Sequence, residues 1–352
     1  MATAEEGSHL TPDGTKLYTK TWKTAEQPRA ILAFVHGYSD HCNRYYDLFP
    51  TWASYGIEVR AFDQRGWGRT VTKPSDCGRT GPTSVVLSDI HSFLQTLTPL
   101  VTQTTPLFLM GSSMGGGEVL YYILHPDSPF NSVIDTDSKS PNLTGVLACS
   151  PLVALHPSTR VSALTVIAGR IAGKLLPAFH IHPALDARFM SRIESVCEDW
   201  INDPLCHGTG TLEGVAGMLD RGLWLEGLSL SGPKGKDSVE RVKDLLPAIW
   251  FGHGSGDRVN SWDATKQLAA TLEGVHVDVT FQSYDGAYHK LDADLPEVGE
   301  KFRKDVAEWI LARCPSESQS SSPVQPETLR PDNIEESPAE SVGVTDEAKA
   351  KL

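Results

Sequence analysis

Apolar positions along the chain follow two alternating rhythms. Besides Ile57–Phe62, which reads as a strand interrupted by Glu58 and Arg60, the segments Ala30–Val35, Leu107–Met110, Gly145–Cys149 and Ala248–Phe251 are short, nearly unbroken apolar runs. That is the pattern of strands buried on both faces of a sheet. Between them lie stretches with a 3.6-residue apolar period. The clearest is Thr83–Leu97, where Val86, Ile90, Phe93, Leu94 and Leu97 share one side. Further helices are expected around Tyr45–Ser54, after Gly115 (Val119, Tyr122 and Ile123 on one face), from about Ser261, and finally along Val298, Phe302, Val306, Trp309 and Ile310. Lys16–Trp22, behind an Asp13-Gly14 turn, and Val275–Phe281 alternate apolar with polar residues, which predicts a strand at each place. Strands and helices in alternation predict a mostly parallel central sheet covered by helices on both faces.

The rhythm breaks between Leu152 and Leu245. This block has helical periodicity without buried strand runs. Ser158 or Thr159 can cap a helix in which Val161, Leu164, Ile167 and Ile171 line up. Further helical pieces are expected over Ala187–Ile201 and Leu212–Leu225, and Gly232–Lys236 reads as an exposed loop. The organisation expected is therefore a sheet domain in two parts, 1–151 and 246–314, interrupted by a helical cap over 152–245. Residues 315–352 are rich in Ser, Pro, Glu and Gln and contain no aromatic residue. A segment that poor in apolar surface cannot offset its ordering entropy, so a disordered acidic tail is expected.

Composition narrows the function classes. The chain has 352 residues, 40% of them hydrophobic and 21% charged, as in globular proteins. A formal charge of -13 argues against nucleic acid or an anionic membrane as a main partner. The polar start MATAEEGSHL does not read as a secretory signal. Six scattered cysteines favour free thiols over a disulfide framework, and a cytoplasmic setting is expected. Cys197, Cys206 and His207 fit no standard zinc spacing, so no metal site is expected.

Candidate chemistry sits where strand gives way to helix. Leu107–Met110 runs into Gly111-Ser112-Ser113-Met114-Gly115, a Gly-x-Ser-x-Gly at a strand–turn–helix junction. Such a turn strains the serine backbone and lifts the Ser113 hydroxyl above the sheet edge. A phosphate-binding loop is excluded, because Gly116-Gly117-Glu118 stands where Gly-Lys-Ser/Thr would fall. A serine nucleophile needs a base oriented by a carboxylate. Asp257 and His289 each follow a predicted strand, in the chain order this architecture uses. His276 falls where a strand begins, and Asp285 and Asp292 flank His289 too closely to reach behind its ring. An oxyanion would be met by the backbone N–H groups of Met114, after the nucleophile, and Tyr38, after an earlier strand.

His36-Gly37, Asp63-x-Arg65-Gly66-x-Gly68, Gly111-x-Ser113-Met114-Gly115-Gly116, Ser150-Pro151, Gly256-Asp257-Arg258 and Gly286-Ala287-Tyr288-His289 together resemble the monoacylglycerol lipase family of the α/β-hydrolase fold. The resemblance spans residues 8 to 313. It implies hydrolysis of monoacylglycerol to glycerol and fatty acid without a cofactor, with a cap that binds the acyl chain and opens against a membrane or lipid droplet. Asp40, Arg44 and Asp292 resemble positions that line the glycerol-head pocket. Two of them depart from the family: Asp40 stands where Glu is common, and Asp292 where animal members carry His. A broader carboxylesterase, lysophospholipase or acyltransferase would use the same acyl-enzyme. A non-catalytic hydrolase-fold binding protein is the alternative from another class. The C-terminal Ala350-Lys351-Leu352 is a near relative of the Ser-Lys-Leu peroxisomal address. Oligomeric state is not legible in the sequence.

Overall fold

The computed structural model describes residues 3–131 and 141–315. The tail 315–352 and the C-terminal tripeptide, apart from residue 315, lie outside them.

An eight-stranded sheet runs through the molecule. Its strands are β1 (Thr3–Leu10), β2 (Lys16–Lys23), β3 (Ala30–Val35), β4 (Ile57–Phe62), β5 (Leu107–Ser112), β6 (Leu143–Cys149), β9 (Ala248–Gly254) and β10 (Val279–Tyr284). Their order is β1-β2-β4-β3-β5-β6-β9-β10. The six from β4 to β10 pair in parallel, and β2 joins β4 antiparallel with β1 outside it. The central strands are apolar because both faces are covered. Along β5, Leu107 and Leu109 enter one core while Phe108 and Met110 enter the other. The first face is covered by α2 (Thr83–Leu97), α3 (Met114–Leu124) and α8 (Trp262–Glu273), the second by α1 (Leu48–Ser54) and α9 (Pro296–Leu311). This is the expected α/β-hydrolase architecture.

The insertion between β6 and β9 carries α4 (Ala163–Leu175), α5 (Glu194–Asn202), α6 (Leu212–Leu230) and α7 (Pro233–Glu240). A short ribbon of β7 (His180–Ile181) with β8 (Gly210–Thr211) ties it together. Several expectations need correction here. Gly232–Lys236 is not a loop: Gly232 at φ 54° turns the chain and Pro233 opens α7, a helix its low apolar content concealed. Ser162, not Ser158 or Thr159, caps α4, its hydroxyl accepting from the Thr165 N–H. The last strand begins at Val279 rather than Val275, because His276 sits in a turn at φ 66°. β1 was not foreseen. Its sequence TAEEGSHL lacks apolar alternation, and it is exposed along most of its length on the sheet edge.

Candidate active site

The nucleophile turn is built by close approach of backbone. Ser113 has φ 56° and ψ -116°, a conformation that costs energy for a residue with a side chain. The Ser113 N–H donates to the Cys149 carbonyl, and its own carbonyl accepts from Leu152 and Gly117 N–H groups. Glycine at position 111 is required, since a Cβ there would stand 2.2 Å from the Gly115 carbonyl oxygen. Gly115 would likewise meet the Val35 carbonyl oxygen at 2.3 Å. Strand β5 and helix α3 can therefore meet only across hydrogens, and this proximity lifts Ser113 out of the sheet.

Three loops converge on that serine. His289 Nε2 lies 2.9 Å from Ser113 Oγ, and its Nδ1 lies 2.7 Å from Asp257 Oδ2. Asp257 is buried at the end of β9, where its Oδ1 accepts from the Val259 and Asn260 N–H groups. Burial opposes its ionisation, but the His289 and His253 rings hold its carboxyl well below the usual carboxylate range. The loop after β3 brings Gly37 against Ser113, where a Cβ would be 3.0 Å from the serine Cβ. Tyr38 follows it, and among the described residues neither the Tyr38 nor the Met114 N–H donates to a turn or loop carbonyl. His36 braces this loop. Its Nε2 accepts from the Gln64 N–H at 2.9 Å, and the Gln64 side chain donates to the His36 carbonyl.

The rival groups lie elsewhere. Asp285 is exposed and takes a hydrogen bond from Ser255 Oγ, while His276 is exposed in its turn. Asp40 and Arg44 line the same small pocket as Ser113 and His289. Asp292 does not line it but faces an adjoining space beside Ser112 and His289.

Several residues at the site were missed in the sequence. His253 is fully buried, with Nε2 3.0 Å from Asp257 Oδ2 and Nδ1 3.0 Å from Thr265 Oγ1. One carboxylate oxygen thus serves two imidazoles. Its position four residues before Asp257 at a strand end was the available signal, hidden in a run that reads as a glycine turn. Ser150 Oγ donates to the His289 carbonyl at 2.8 Å, and Asn260 Nδ2 to the Ser150 carbonyl at 2.7 Å. These bonds hold the loop carrying His289 to the end of β6. Lys290, the residue after His289, also lines the serine pocket.

The cap is closed over the site. The Lys290 N–H donates to the Met190 carbonyl, Trp200 Nε1 to the Ser39 carbonyl, and the Tyr38 hydroxyl to the Gly208 carbonyl. The pocket at Ser113 has a volume of about 30 Å³, space on the order of one or two waters. Pockets that hold drug-sized ligands span some hundreds of Å³, so this one as it stands is too small for a lipid ester. A larger cavity of about 450 Å³ lies between Arg65, Arg79 and Glu213 but does not reach Ser113. Its two arginines and two acids, Asp76 and Glu213, make it a poor host for an acyl chain.

Among the described residues, His41, Asp203 and Cys206 come close enough to share a cation. The arrangement does not suit one. Arg44 Nε already stands 3.7 Å from Asp203 Oδ2, and burial pushes the Cys206 thiol well up, so it stays protonated. His41 Nε2, 2.9 Å from Asp203, completes a polar network rather than a metal centre.

Residues 26–296 match the family model described as "Serine aminopeptidase, S33". A Schizosaccharomyces pombe protein provisionally named a monoglyceride lipase is 32% identical over 309 residues, 87% of this chain and 74% of that protein. The chain belongs to the monoacylglycerol lipase family of α/β-hydrolases. A monoacylglycerol lipase of Mycolicibacterium smegmatis is 27% identical over 88% of this chain and 98% of its own length. In fold, the chain matches a crystal structure of a soluble variant of Saccharomyces cerevisiae monoglyceride lipase with a substrate analogue. The TM-score is 0.75 at 21% identity, over 90% of this chain and 97% of that one. This serine hydrolase family acts on carboxylic esters, and the protein is a carboxylic ester hydrolase.

Proposed function

We propose that the protein hydrolyses monoacylglycerols to glycerol and free fatty acid through an acyl-enzyme on Ser113. The observation that carries this reading is the hydrogen-bonded line Ser113–His289–Asp257 opening into a pocket that also holds Asp40 and Arg44. His289 takes the hydroxyl proton as Ser113 Oγ attacks the ester carbonyl. Asp257 keeps the imidazole oriented and stabilises its charged form. The Tyr38 and Met114 N–H groups meet the oxyanion, at the positive end of α3. His289 then passes its proton to the departing glycerol oxygen, and water repeats the cycle on the acyl-enzyme. The residues invoked need neither a cofactor nor a metal.

Asp40 supports the head-group part of the reading. Burial opposes its ionisation, but Lys290 and Arg44 beside it hold its carboxyl below the usual range, so it remains an acceptor for hydroxyl groups. The apolar side chains of α4 support access from a membrane or droplet surface. Leu164 is 79% exposed and Leu175 75%, with Ile167 and Ile171 between them on the outer surface of the cap. Among the described residues no helix is long and apolar enough to cross a membrane. The test is a substrate panel of monoacyl, diacyl and triacyl glycerols beside lysophospholipids, with fluorophosphonate labelling of wild type and Ser113→Ala. Preferred turnover of the monoacyl ester, with labelling lost in Ser113→Ala, is expected. Preferred turnover of a lysophospholipid would replace the substrate and keep the chemistry.

A further inference from the structure

The Lys290 side chain is nine-tenths buried, its ammonium held between two carboxylates and an aromatic ring. Nζ stands 3.4 Å from Asp292 Oδ2 and 3.9 Å from Asp40 Oδ2, at ion-pair distance from both, and lies 4.1 Å from the centre of the Tyr45 ring. The Tyr45 hydroxyl donates to Asp40 Oδ2 at 3.0 Å, so ring and carboxylate together hold the ammonium in place. Arg44 pairs with the same Asp40. Its Nη1 reaches Asp40 only at 3.5 Å, and its buried Nε and Nη2 have no hydrogen-bond partner. The pocket at Ser113 therefore presents two cations, and the second, Arg44, has two buried donors without acceptors. Buried donors without acceptors are costly, and a hydroxylated ligand would supply the missing oxygens.

We infer that Lys290 is a specificity-determining residue that reads the hydroxyl oxygens of a neutral polyol leaving group. This rests on the monoacylglycerol reading above and names a residue that reading did not need. Two features assign Lys290 to the leaving-group side. It follows directly on His289, the group that returns a proton to the departing oxygen. It also shares its end of the pocket with Asp40 and Arg44, whereas Met190 and Val196 of the cap supply apolar lining. The charge balance selects neutral heads. Arg44 pairs with Asp40 and Asp203, and Lys290 with Asp40 and Asp292, although of these carboxylates only Asp40 lines the pocket. A phosphate would have to compete with these carboxylates for both cations.

The test compares the full chain with Lys290→Met and Lys290→Gln on three esters of one acid: 1-oleoylglycerol, methyl oleate and 1-oleoyl lysophosphatidate, in detergent micelles. Fluorophosphonate labelling checks that Ser113 stays reactive in each variant. Lys290→Met should lose about tenfold or more in kcat/KM on 1-oleoylglycerol and several times less on methyl oleate. Lys290→Gln, which keeps an uncharged donor, should recover part of the loss. Equal losses on both esters would make Lys290 a structural support and overturn the inference alone. Wild type that favours lysophosphatidate over the glycerol ester would overturn selection for a neutral head. Wild type that cleaves methyl oleate but ignores 1-oleoylglycerol would remove the monoacylglycerol reading and this inference with it.

Discussion

Asp257 accepts hydrogen bonds on both carboxylate oxygens, and its Oδ2 serves His289 and His253 at once. In the proposed mechanism this group is the orienting carboxylate, and the members of such a line act as a unit. Ser113→Ala and His289→Ala are each expected to lower turnover by about 10⁴-fold or more, and Asp257→Asn to leave a small residual rate. Asp285→Asn should keep most activity, because Asp285 faces solvent at Ser255. Steady-state kinetics on one soluble ester decide this. An inactive Asp285→Asn beside a healthy Asp257→Asn would reverse the carboxylate assignment. His253 touches Asp257 and not Ser113, so it is a positioning residue. His253→Phe keeps the ring and removes its N–H. A lost hydrogen bond to a charged group costs about 1.5–3 kcal/mol, so kcat should fall about tenfold or more while KM changes little. A rise in KM with kcat intact would count against the positioning role.

At the scale of elements, α4 is the one helix among the described residues whose apolar stripe faces outward. Its periodicity has the same form as that of α2, yet the α2 residues Val86, Ile90 and Leu94 are buried while Leu164, Ile167 and Ile171 face out. One pattern thus serves two purposes, and only the neighbours of the helix distinguish them. Leu164→Glu with Ile171→Glu should abolish sedimentation with anionic or neutral liposomes. It should leave hydrolysis of a short, water-soluble ester within about twofold of wild type, since neither residue lines the pocket at Ser113. Retained liposome binding would move the contact surface away from α4.

At the scale of the whole molecule, a buried contact joins the insertion between β6 and β9 to the sheet domain. Arg221 of α6 donates to Glu118 of α3 at 2.8 Å, and its other nitrogen reaches Thr83 Oγ1 at the start of α2. Burial pushes the Glu118 carboxyl up to about 7 from an ordinary 4.5, although Arg221 works against the rise. A raised carboxyl binds its proton more tightly in the folded chain. Its contribution to stability is therefore complete below about pH 4.5 and is lost as pH rises through about 7. A pKa difference of that size corresponds to about 3 kcal/mol at most. Glu118→Gln cannot titrate, so between pH 5 and 8 the variant should gain on wild type in denaturant midpoint. A constant difference across that range would show that Glu118 does not titrate in the fold. The sequence by itself determined the strand–helix alternation, the nucleophile turn and the three loops that bear Ser113, Asp257 and His289. Local rules govern those features: apolar period, glycine at strained turns, and the placement of side chains at strand ends. Tertiary structure decided which polar residues share the pocket and which apolar stripe faces water. It also decided that His253 and Ser150 hold the machinery in place. Those choices turn on distances between segments far apart in the chain, such as Ser150 and His289 or Arg221 and Glu118. No periodicity records such distances, because it reports only what a residue's near neighbours along the chain require.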